Sequence, residues 1–135
     1  MRYLLDVNAL IALGITRHEF RDRVRNWIAL LAVAGRPELA TCSITELGFV
    51  RIVSQIPAFN VSVEQAKSLL SMLKAVQDYD FRFLGDTNDS SKLPAWVKSS
   101  KQTTDGHLVE LAKANGCVLA TFDEKIPGAF LIPQN

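Results

Sequence analysis

Cysteine is scarce in this chain: two in 135 residues, Cys42 and Cys117. Each lies beside an apolar stretch, in ATCS and NGCVLA, and no spaced Cys/His set accompanies them. A disulfide framework and a zinc site are therefore unsupported, and both residues read as small buried thiols. Long hydrophobic runs are missing as well. RYLLDVNALIALGI is apolar, but it carries Asp6 and Asn8 and is too short to cross a bilayer. No basic segment leads into an apolar stretch and a cleavage site, so the expectation is a cytoplasmic protein without membrane attachment. Excess charge of one sign is also lacking. Fifteen Lys and Arg face fourteen Asp and Glu, so the charge balance does not advertise a nucleic-acid binder, and any attraction for a polyanion has to come from local basic patches. There is no GxxxxGK[ST] loop, which removes the usual signal for nucleoside-triphosphate hydrolysis, and no Ser-His-Asp or Cys-His arrangement competes for chemistry.

What is present suits one soluble domain over residues 1–135, long enough to bury a full core, with 48% hydrophobic and 21% charged residues. RYLL reads as a short buried strand and VNALIALGI as a helix closing at Gly14. A longer helix is expected over His18–Ala34, where Phe20, Val24, Trp27, Ile28 and Leu31 recur at helical spacing. ELATCS follows as a strand, then a helix from Ser43 stopped by Pro57, and then an amphipathic helix from Val63 to Val76. YDFRFL alternates as a strand should, TTDGHLVELAKANG is a helix ending at Gly116, and CVLAT and AFLI are strands. The order reads β-α-α-β-α-α-β-α-β-α-β. It predicts a three-layer α/β/α sandwich around a parallel five-stranded sheet, in which ligands bind at the carboxyl ends of the strands.

Four acids fall at that edge. Asp6 follows RYLL, Glu46 lies one turn into the helix after ELATC, Asp105 opens the helix entered from the long polar loop, and Asp123 follows CVLATF. Two unit charges about 5 Å apart repel by roughly 3 kcal/mol at an effective dielectric near 20. A divalent cation relieves that cost, and oxygen ligands suit magnesium or manganese. Such an ion activates water and neutralises charge on a phosphate. Each acid also has a plainer role. Asp6 can cap the helix after it, Ser43-x-x-Glu46 can form a capping box, Asp105 can favour its helix dipole and Asp123 can serve a turn. Four such roles do not account for one shared edge.

LLDVNALIAL, SITELGFVRI and TTDGHLVELAKANGCVLATFDEKI together resemble the PIN-domain family, in particular its VapC-type toxin ribonucleases, over Tyr3 to Ile132. The resemblance implies metal-dependent RNA hydrolysis, with Asp6, Glu46 and Asp105 as metal-binding acids and Asp123 as a more variable fourth. It implies that Asn8 orients Asp6 and Glu46 by hydrogen bonds, and that Thr121 places a hydroxyl near the metal-bound water. His107 matches a frequent family residue. Its position, two past Asp105 on a helix, favours packing or a substrate-side hydrogen bond over metal ligation. A cognate antitoxin protein and homodimerisation are further implications.

The stretch 85–101 departs from that pattern. It carries Lys92, Lys98 and Lys101 around Trp96, a combination able to grip phosphates and stack a base, or else a solvated loop with Trp96 on the core. Arg17, Arg21 and Arg25 form a second candidate patch, or a wet helix face. Two other functions are open to the residues. One is a catalytically weak PIN-like module that binds RNA or protein. The other is a phosphoacceptor domain using Asp86 and Lys125, which fits poorly because the first strand ends without paired acids.

Overall fold

The structure is a computed structural model that describes residues 1–134. Five strands, β1 (Arg2–Leu5), β2 (Glu38–Cys42), β3 (Asp80–Leu84), β4 (Cys117–Thr121) and β5 (Phe130–Leu131), form one sheet in the order β3-β2-β1-β4-β5. All four pairings are parallel. Neighbouring side chains in each strand go to opposite faces, as the pleat requires. Leu5, Leu39 and Ala120 join a core with helices α1 (Val7–Gly14), α2 (Arg21–Val33), α3 (Ser43–Gln55) and α4 (Val63–Lys74). Leu4, Ala40 and Leu119 join a second core with α5 (Thr103–Ala114). The predicted three-layer sandwich is thus observed, with four helices on one face and one on the other. Both cysteines are buried and unpaired. Among the described residues no helix is long and apolar enough to cross a membrane.

Several boundaries differ from expectation. Helix α2 starts at Arg21 rather than His18, since residues 18–20 form a turn in which the Phe20 N–H donates to His18 Nδ1. Helix α4 stops at Lys74, and β5 is two residues long. No helix joins β4 to β5. The segment 122–129 holds bends and turns, too short a span to make helical turns and still return to the sheet. The long polar loop after β3 is partly ordered by single helical turns at Ser90–Lys92 and Ser100–Gln102.

Two glycines set distances that matter for the site. A Cβ at Gly48 would lie 2.7 Å from Val7 Cγ2, so only glycine lets α3 seat against the start of α1, next to Asp6. A Cβ at Gly106 would lie 2.3 Å from Val97 Cγ2 and 3.2 Å from Pro94 Cδ, so the polar loop rests directly on the first turn of α5.

Candidate active site

Chain order reverses direction across the sheet at β1: β2 and β3 lie on one side, β4 and β5 on the other. Such a reversal opens a crevice at the carboxyl edge, between β1 and β4. Asp6 stands at its base. It is 8% exposed, and its N–H donates to the Ala120 carbonyl at 3.1 Å, stitching the two strands. Its Oδ1 accepts from the Ala9 N–H at 2.8 Å and caps α1. The capping role is therefore present, and it coexists with a place in the crevice.

Asp105 lies half-buried in the first turn of α5, and Asp123 is exposed two residues beyond β4. The Asp123 N–H donates to Thr121 Oγ1 at 3.0 Å, and its Oδ1 accepts from the Lys125 N–H at 2.9 Å, the turn role foreseen for it. The three aspartates nevertheless sense one another. Burial raises the Asp6 carboxyl above its ordinary value, and the charges of Asp105 and Asp123 add to this, against the lowering effect of hydrogen bonds from Thr121 and Ala9. Burial likewise raises Asp105, with Asp123 reinforcing it. Desolvation and like charge act together, a combination characteristic of functional sites. Thr121, 1% exposed, bridges Asp6 and Asp123 through its hydroxyl.

Glu46 behaves differently. The Ser43–Glu46 capping box, the plainer role open to Glu46, does not form. Helix α3 begins one residue earlier than that box requires, and its start is closed by Cys42 and Thr45, with the Cys42 N–H donating to Thr45 Oγ1 at 3.0 Å. Glu46 is thereby left for other partners. Its Oε2 accepts from the Thr41 hydroxyl at 2.5 Å and from Lys74 Nζ at 2.6 Å. Lys74 is the last residue of α4, and its ammonium also lies 5.7 Å from the centre of the Phe83 ring. Sequence reading missed Lys74. A faint signal existed: Lys74 is the only basic residue in the last turn of α4 and directly follows the buried Leu73.

The supporting residues divide. Asn8 is exposed at the second position of α1 and makes no hydrogen bond to Asp6 or Glu46, whose partners are the Ala9 amide, Thr41 and Lys74. The expected orienting bonds are therefore not made. His107 Nε2 pairs with Asp86 Oδ2, tying the polar loop to α5. Burial opposes but does not prevent a lowered Asp86 carboxyl, since hydrogen bonds from His107 and the Asn88 amide hold it down. Asp86 thus serves loop anchoring rather than the phosphoacceptor arrangement. Trp96 packs against the α5-side core, while Lys92, Lys98 and Lys101 are exposed and form no ion pair among the described residues. Arg17 donates to the Ala58 carbonyl at 3.0 Å and Arg21 to the Leu13 carbonyl at 3.3 Å. Arg21 thus ties the last turn of α1, and Arg17 ties the Pro57–Phe59 turn.

The donor set fits a hard divalent cation in its chemistry: carboxylate oxygens only, crowded enough to oppose ionisation. No three His, Cys, Asp or Glu side chains among the described residues are yet gathered into a ligand cage. An ion held there would have to draw the carboxylates inward.

A parallel β3-β2-β1-β4-β5 sheet between helical layers, with acids from four segments at its carboxyl edge, defines a class of α/β domain. The PIN-domain profile matches residues 3–129, and the chain belongs to that family. It is 36% identical to Ribonuclease VapC38 of Mycobacterium tuberculosis over 97% of this chain and 89% of that protein. With Ribonuclease VapC44 of the same species it shares 37% identity over 96% of this chain and 94% of the relative. In fold it is similar to VapBC2 from Rickettsia felis, solved bound to a DNA fragment from its promoter, with a TM-score of 0.62 and 20% identity over 97% of each chain. PAE2754 from Pyrobaculum aerophilum gives a TM-score of 0.57 at 18% identity, covering 98% of this chain and 90% of that one.

Proposed function

We propose that the chain is a magnesium- or manganese-dependent endoribonuclease, the toxin of a type II toxin–antitoxin pair. The observation that carries this reading is the arrival of Asp6, Asp105 and Asp123 at the β1/β4 crevice from three separate segments, where burial and neighbouring negative charge raise Asp6 and Asp105. A cluster that resists its own ionisation is costly to keep unless a cation or a reaction uses it. Membership of the PIN family and two relatives named as VapC ribonucleases support the same conclusion.

In this reading Asp6, Glu46, Asp105 and Asp123 hold the metal. When bound, the ion lowers the pKa of an attacking water and offsets charge on the scissile phosphate. The chain's own residues do the rest. The backbone bonds of Asp6 to Ala9 and Ala120 fix its carboxylate at the crevice floor. Thr121 spans Asp6 and Asp123, and in this reading its hydroxyl also holds the nucleophilic water. Lys92, Lys98 and Lys101 offer phosphate contacts along the approach to Asp105. Trp96 packs on the core and stiffens that loop.

An antitoxin partner is proposed because structural neighbours were solved as VapBC assemblies. An acidic crevice suits an inhibitor that inserts Arg or Lys. A homodimer and a cytoplasmic location complete the reading. The test is cleavage of structured and single-stranded RNA by the purified chain with manganese. The expected outcome is cleavage that chelator and Asp105→Asn both abolish. Binding without cleavage would assign the chain to the weak-module alternative.

A further inference from the structure

We propose that Lys74 is a resident cation: it occupies Glu46 until a divalent ion displaces it, and so sets how much metal the site requires. This rests on the nuclease reading of the same site. Glu46 Oε2 is within 2.6 Å of Lys74 Nζ and 2.5 Å of the Thr41 hydroxyl, so one oxygen carries two donors. The pair is neither buried nor freely solvated, with the side chains 30% and 22% exposed. Its attraction is thus stronger than that of a surface pair but still reversible. A divalent ion seeking Glu46 competes with the ammonium for the same oxygen. Lys74 has somewhere to go, because its flexible stem already carries the ammonium across the exposed face of Phe83, 5.7 Å from the ring centre. Asp6, Asp105 and Asp123 form no ion pair among the described residues. A metal therefore meets an eager flank and an occupied one.

The experiment is manganese titration of the metal-stripped full chain by calorimetry, with wild type, Lys74→Met, Lys74→Gln and Lys74→Arg. Thermal melts in chelator confirm that each is folded, and the two neutral variants guard against one failing to fold. Both neutral variants should bind manganese roughly three- to tenfold more tightly, while Lys74→Arg should stay within about twofold of wild type. In a Glu46→Gln background the gain from Lys74→Met should vanish. Equal or weaker binding by the neutral variants, or a gain that persists without Glu46, overturns the role of Lys74 and leaves the nuclease reading standing. No manganese uptake by wild type and variants alike overturns both.

Discussion

The two flanks of the crevice hold acids in opposite electrostatic conditions. On the β1/β4 flank burial raises the carboxyls of Asp6 and Asp105, the negative charge of Asp123 adds to both, and a hydroxyl and a backbone amide relieve Asp6. On the β2/α4 flank Glu46 keeps its own ammonium at 2.6 Å. The difference teaches that an acidic cluster read from sequence is not one electrostatic object. An acid's neighbours across the fold decide whether it stores repulsion or is already neutralised, and only the first kind gains the full benefit of a metal ion.

The largest expected effect concerns whether the flanks share one reaction. Asp105→Asn and Glu46→Gln should each lower the RNA cleavage rate by roughly 10²- to 10³-fold, the scale for losing a group that organises developing charge. Single-turnover cleavage at saturating manganese measures this. Activity retained in Glu46→Gln but lost in Asp105→Asn would confine the site to the aspartate flank and break the comparison.

Next in size is stabilisation by metal. A ligand that binds only the folded chain stabilises it by about 2.7 kcal/mol at one hundred times its Kd. Saturating manganese should accordingly raise Tm by several degrees in wild type, and by much less in Asp105→Asn. An equal shift in both would mean that the ion binds elsewhere.

Much of this was legible in the sequence, and the reasons are particular. Asp6 directly follows an apolar four-residue strand, and Asp123 lies two residues past another, so parallel order alone puts both at one edge. The alternation of Leu4 with Leu5 and of Leu119 with Ala120 onto two cores follows from the pleat. Contacts between residues far apart in the chain were not legible. Lys74 meets Glu46 across 28 positions, and His107 meets Asp86 across 21. Each depends on how one helix or loop lies against another, which no local pattern encodes. The plainer role open to Glu46 failed for a related reason: Thr45, one residue earlier, took the capping position that the Ser43-x-x-Glu46 spacing suggested. The hydrogen bonds expected of Asn8 came from the family pattern, and in the structure its exposed side chain makes none to Asp6 or Glu46.

A smaller effect separates the flanks by sign. In the metal-free chain at pH 7, Asp105→Asn removes a carboxylate that burial and Asp123 hold above its ordinary value, so it should stabilise the fold modestly and raise Tm. Glu46→Gln should instead destabilise by about 0.5–1 kcal/mol, since Lys74 loses its partner. The pH dependence follows from the direction of the shifts. Asp6 and Asp105 are raised on folding, so their contribution to stability is whole below the unfolded value, near about 4, and is lost as pH rises through the folded value. The advantage of Asp105→Asn over wild type should therefore shrink as pH falls from 7 toward 4. Melts in chelator across that range measure it, and a gap that widens on acidification would contradict the assigned direction.

The smallest effect concerns how substrate reaches the aspartate flank. Lys92, Lys98 and Lys101 project from a loop that Gly106 allows to rest on α5 beside Asp105, and all three are exposed. Arg17 serves as the contrast, since its guanidinium is already committed to the Ala58 carbonyl. Each phosphate contact to single-stranded RNA contributes about 0.7 to the slope of log affinity against log salt. In a cleavage-dead Asp105→Asn background, replacing any one of the lysines by Ala should weaken binding a few-fold and flatten that slope by about 0.7. Arg17→Ala should leave the slope unchanged while lowering Tm slightly. If Arg17→Ala flattens the slope and the lysine variants do not, RNA approaches over the α1–α2 side, and the crowding of the three aspartates has no part in receiving it.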